Sequence, residues 1–163
     1  MTNSSSQVRL RHESQVPIFG TAHWTIITLA LLICGPRIMA GTVLFAWGSN
    51  NYGQSNIPEG LSNVVQIAAG DSHNLALSKD GTLVGWGYNA YGQSSPPVVG
   101  GWSQVAAGNF FSLGVLTDGT VRAWGLNNYS QTSVPVGLPG ALSVGAGEVH
   151  SLAQLQQGGL AGW

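Results

Sequence analysis

An all-β fold, a partial β-propeller of about three blades with four short antiparallel strands each, is what this sequence predicts, on three observations. A motif recurs at a fixed period. Each period holds short apolar runs divided by turn residues. No stretch of the array carries the 3.6-residue spacing of a long amphipathic helix. The period is set by WGSNNYGQ from Trp47, WGYNAYGQ from Trp86 and WGLNNYSQ from Trp124, whose openings lie 39 and 38 residues apart. Trp163 falls 39 residues after the third. The repeats then run over about 47–85, 86–123 and 124–163, within a domain covering 41–163.

Each copy continues in the same order. A proline follows the motif (Pro58, Pro97, Pro135), then an apolar run ending in glycine: VVQIAAG to Gly70, SQVAAG to Gly108 and LSVGAG to Gly147. A second run comes next, HNLALS, FSLGVL or HSLAQL, and it ends at a turn. Asp80-Gly81 and Asp118-Gly119 are strong hairpin signals, and a two-residue type I′ turn is expected there, with positive φ at both residues. The third copy has Gln157-Gly158 instead. The third run is TLVGWG or TVRAWG. Alternation places Leu75, Leu77 and Leu83 inward and Asn74, Ser78 and Thr82 outward. A shorter fourth strand is expected near Tyr-Gly-Gln. The motif residues have packing and turn roles: Trp is an apolar plate against the next blade, Gly turns the chain away, and Asn bonds the backbone of its own turn.

Composition narrows the function. The chain has 163 residues, 44% hydrophobic, 7% charged, with 24 glycines and a net charge of −1. It is too apolar for a disordered chain. Five scattered Lys and Arg residues do not form the basic patch that displaces counterions from phosphates, so nucleic-acid binding is not expected. The single cysteine, Cys34, excludes an internal disulfide and a cysteine-pair zinc site.

Residues 1–40 form a separate leader. Arg9 and Arg11 precede the apolar run Trp24 to Cys34, which is followed by Gly35-Pro36 and by Ala40-Gly41. That is the layout of a secretory signal, with cleavage expected after Ala40. The expected location is secreted, periplasmic or cell-surface, and the alternative is a membrane anchor through residues 24–40. The apolar run is about half the length needed to span a bilayer.

AWGSNNYGQ, IAAGDSHNLALSKDGTLVGWG and VAAGNFFSLGVLTDGTVRAWG resemble the repeats of the regulator of chromosome condensation superfamily. Their compact length is similar to that of secreted bacterial members, the type-two β-lactamase inhibitory protein among them. The resemblance implies a radial propeller of about seven blades used for protein–protein contact. Three repeats cannot close such a ring, and no position matches guanine-nucleotide exchange chemistry.

The candidate chemistry is sparse. His73 and His150 hold equivalent positions, but the middle copy has Phe111 there, so they read as packed residues bonded to backbone rather than as metal ligands. Asp80 and Asp118 belong to turns. No nucleophile elbow or phosphate loop is present, so no catalytic residue and no cofactor is assigned. The copies differ most after the AAG glycine, at Asp71-Ser72, Asn109-Phe110 and Glu148-Val149, and after Trp-Gly, at Ser49, Tyr88 and Leu126. Substitution at fixed points of a constant frame is how repeat scaffolds present a recognition surface. The binding candidates are therefore Tyr88, Phe110, Asp71, Asn109, Glu148 and Leu126. The expected function is that of an exported, non-enzymatic repeat protein or fragment, inhibitor-like, binding an unknown protein through propeller loops. The alternatives are a propeller module of a larger secreted carbohydrate-acting enzyme, or a truncated product without its own function. Apolar ends at Val43–Trp47 and Leu160–Trp163 add an expectation of self-association.

Overall fold

The computed structural model describes residues 43–163. The expectations for residues 1–40, including the signal-like run, Cys34, cleavage after Ala40 and the anchor alternative, lie outside the described residues.

Among the described residues nine strands follow one another in three groups: β1 Val64–Ala69, β2 His73–Ser78 and β3 Leu83–Gly87; β4 Trp102–Ala107, β5 Phe111–Leu116 and β6 Val121–Gly125; β7 Ala141–Ala146, β8 Ser151–Leu155 and β9 Leu160–Gly162. Each group is an antiparallel meander in sequence order, so the three sheets are successive blades of a partial propeller. The first two sheets end at the Trp-Gly pairs 86–87 and 124–125 and the third just before Trp163, so the repeated Trp closes a sheet rather than opening one.

Three strands per sheet form where four were expected. The Tyr-Gly-Gln segment is a braced loop, not a strand. Its backbone donors are taken by its own side chains: Asn89 Oδ1 accepts from Ser94 N at 3.0 Å and Gln93 Oε1 from Tyr91 N at 3.0 Å. Asn50 and Gln54, and Asn127 and Gln131, do the same in the other copies. The hairpin turn also differs from expectation. Gly81 has φ +81°, but Asp80 is not among the positive-φ residues, and Gly81 N donates to Ser78 O while Ser78 N donates to Thr82 O. This is a three-residue loop with glycine in the left-handed position, not a type I′ turn. Asp80 Oδ1 accepts from Thr82 N at 2.9 Å and Asp118 Oδ1 from Thr120 N at 2.8 Å, and those bonds hold both carboxyls below their ordinary pKa.

Packing occurs between the sheets. Leu75, Leu77, Trp102, Val105 and Trp124 fill the space between the first and second sheets. Phe111, Leu113, Val115, Val121, Ala141, Val144 and Ala153 fill that between the second and third. Five consecutive residues of β5, Phe111 to Val115, are buried because that strand has a sheet on each side. Hence β5 does not alternate, whereas a strand covered on one face would.

Two polar devices recur between sheets. The carbonyl of each motif Gln accepts a bond from the indole that closes the next sheet: Trp86 to Gln54 at 3.0 Å, Trp124 to Gln93 at 2.9 Å and Trp163 to Gln131 at 3.1 Å. Asn74, Ser112 and Ser151 donate to the same three carbonyls. Gln66 exchanges two bonds with the backbone of Val105, and Gln104 pairs with the backbone of Val144. The third sheet has Ser143 at this position, turned to Gln154 instead. On the outer side of the first sheet, Ile67 is 63% exposed, although its counterparts Val105 and Val144 are buried. Val43–Trp47, which has a third-strand sequence, forms no strand.

Candidate binding face

The loops after β1, β4 and β7 lie at one end of the sheets, together with the loops that leave β3 and β6. The pairing of His73 with Gly87 and of Phe111 with Gly125 fixes this arrangement. Backbone bonds tie the two sets together: Tyr88 N donates to Ser72 O at 2.7 Å, and Leu126 N to Phe110 O at 2.9 Å.

At this end Tyr88 and Phe110, from different sheets, meet edge to face with ring centroids 5.8 Å apart. Tyr52 lies 4.6 Å from Tyr88, and Tyr91 lies 5.7 Å from Phe110 and 6.2 Å from Tyr88. Four rings thus form one cluster carried on loops, with Tyr52 54% and Tyr91 48% exposed. Leu126 takes the place of Tyr88 one sheet on, so the cluster has no ring there. Tyr52 and Tyr91 were not singled out from sequence, because Tyr is constant in the motif and its role was read as packing. Their counterpart Tyr129 is also exposed.

Asp71, Asn109 and Glu148 come together at the same loop end. They line an open depression of about 410 Å³, floored by Ala69, Gly70 and their counterparts in the other two sheets. These equivalent positions of the three blades therefore converge. The first strands pack side by side, so their ends share one space. Asp71 accepts a bond from Ser72 Oγ at 2.8 Å. Asn109 Oδ1 is buried without a hydrogen-bond partner.

The histidines have separate fates. His73 is buried and its Nε2 stands 2.8 Å from Ser112 Oγ in the next sheet, so it bonds a side chain, not backbone. Because Ser112 gives its proton to Gln93 O, His73 Nε2 carries the hydrogen and Nδ1 is left with a lone pair. Burial lowers the imidazole pKa from 6.5 to about 4, against the opposing charge of Asp71. His150 is exposed. A Cβ at Gly70, Gly108 or Gly147 would collide with the rings of His73, Phe111 and His150 respectively, so those glycines make room for the rings. Among the described residues no group of three or more His, Cys, Asp or Glu is placed to hold a metal ion, and no helix is long and apolar enough to cross a membrane.

Residues 64–93 and 102–131 match the profile of the Regulator of chromosome condensation (RCC1) repeat. Two segments of the chain are thus similar to this repeat. No curated protein sequence matches it. Among solved structures, Prp20p from Saccharomyces cerevisiae, studied for its binding to Gsp1p and histones, superposes with a TM-score of 0.62 at 24% identity, over 72% of this chain and 40% of that one. Yeast RCC1 (Prp20) bound to Kap60 gives 0.60 at 25% identity, over 72% and 38%. The ectodomain of the Physcomitrella patens receptor kinase CR4 gives 0.60 at 26% identity, over 72% and 34%. This chain thus spans about two-fifths or less of these structures, which share its RCC1-like propeller fold.

Proposed function

We propose that this RCC1-repeat array is an exported, non-enzymatic binding module that engages another protein through the loop end bearing Tyr88 and Phe110. One observation carries the reading. Four aromatic rings, carried on the loops before β1, between β3 and β4 and between β4 and β5, form a continuous, partly exposed cluster. Aromatic side chains dominate interface energetics because they bury much area at small entropic cost. Protein binding by the yeast relative, seen with Kap60, agrees with such a use of the fold. The export component rests on the signal-like order of Arg9, Arg11, the run from Trp24 to Cys34, and Ala40.

Alanine substitution tests the docking role. Tyr88→Ala and Phe110→Ala are each expected to weaken a bound partner by about 2 kcal/mol while leaving the thermal melt of the free protein in place. Loss of partner binding that merely tracks loss of thermal stability would make these rings part of the fold's packing and contradict the proposal.

A further inference from the structure

The polar groups around the aromatic cluster specify the partner's charge, an inference that rests on the docking role proposed above. Asp71 and Glu148 bring two carboxylates to the depression at the loop end that also carries the rings, and Asn109, which lines it too, directly precedes Phe110 in the chain. Asp80 and Asp118, at the other end, are already committed to Thr82 N and Thr120 N. Asp71 accepts one bond, from Ser72 Oγ, and does not pair with Glu148. The positive side chains lie elsewhere. Among the described residues Lys79 follows β2 and Arg122 lies early in β6, both toward the opposite ends of their strands. The loop end therefore combines two carboxylates and the negative faces of aromatic rings, with neither Lys79 nor Arg122 beside them.

We propose that this end docks a basic segment of a partner protein, with an arginine or lysine head group received by Asp71 and Glu148 and its apolar stem lying on Tyr88 and Phe110. The chemistry matches on each count. A guanidinium or ammonium brings several donors and no acceptor, and it is attracted to both carboxylates and ring faces. A neutral or acidic segment would leave the carboxylates without compensation in the contact.

The test is an amide-shift titration of the folded protein with the peptide Gly-Arg-Gly-Arg-Gly and with its citrulline twin, which has the same shape but no charge. The arginine peptide is expected to shift the amides of Asp71, Asn109, Phe110 and Glu148, and the citrulline peptide is not. The double variant D71N/E148Q keeps hydrogen-bonding side chains and should weaken arginine-peptide binding about three- to tenfold. F110A should weaken it as well. Equal shifts with both peptides, shifts centred on Asp80 and Asp118, or unchanged affinity in D71N/E148Q would each overturn the proposal. A natural partner that loses binding in F110A but not in D71N/E148Q would overturn the charge assignment and leave the docking role standing. A partner unaffected by F110A would remove the docking role itself.

Discussion

Gln104 Oε1 accepts a hydrogen bond from Val144 N at 2.8 Å, joining the first strand of the middle sheet to the first strand of the next. Its Nε2 also reaches Val105 O at 3.0 Å and Val144 O at 3.3 Å. A carboxamide serves here because it offers a donor and an acceptor at one tip, matching the paired N–H and C=O of a facing strand. Gln66 does the same one sheet earlier.

Replacing Gln104 by alanine would leave the amide of the buried Val144 without this acceptor. The expected loss is about 1–3 kcal/mol, read as a lower urea midpoint with an unchanged slope. An unchanged midpoint would show that the sheets are held by apolar packing alone.

His73 makes stability depend on pH. The buried imidazole stays neutral down to about pH 4, whereas in the unfolded chain it protonates near 6.5. Between those values the unfolded state binds more protons, so stability is full above about pH 6.5 and declines as pH falls toward 4. The contribution at stake is about 2–3 kcal/mol. Phe already occupies the corresponding position at Phe111, so His73→Phe should fit and flatten this part of the profile. Thermal melts of both proteins from pH 7 to 4.5 check it. Parallel profiles would place the pH dependence on other groups.

Ser130 occupies a left-handed position, φ +65°, where the other copies have Gly53 at +78° and Gly92 at +81°. Its hydroxyl bonds no other group among the described residues, and the residue is exposed. Ser130→Gly should therefore raise stability, by about 1 kcal/mol from relief of backbone strain less the added freedom of the unfolded chain. A lower melting temperature in the glycine variant would contradict this.

Much of the fold was legible in the sequence because it is repeated. Positions 70, 108 and 147, or 86, 124 and 163, identify one another without external comparison, and the short runs between glycines allow little except strands. What the sequence could not show depends on contacts between copies. Gln93 was read as re-entering a sheet, whereas its side chain braces Tyr91 and its carbonyl receives Trp124. The missing fourth strand has the same origin, since side chains satisfy that loop locally. At the binding face, Tyr88 and Phe110 stood out because they vary between copies, while Tyr52 and Tyr91 were hidden by their constancy. The convergence of Asp71, Asn109 and Glu148 required the sheet-to-sheet packing, which pairs residues nearly forty positions apart.

Site-specific photo-cross-linking tests the docking face most directly. Benzoylphenylalanine placed at Tyr88 or at Val136, a fully exposed residue on a loop near the opposite end, compares two accessible surfaces of the same folded chain. Partner adducts are expected from position 88 and not from position 136. Adducts from position 136 alone, or equally from both, would contradict a partner site centred on Tyr88 and Phe110.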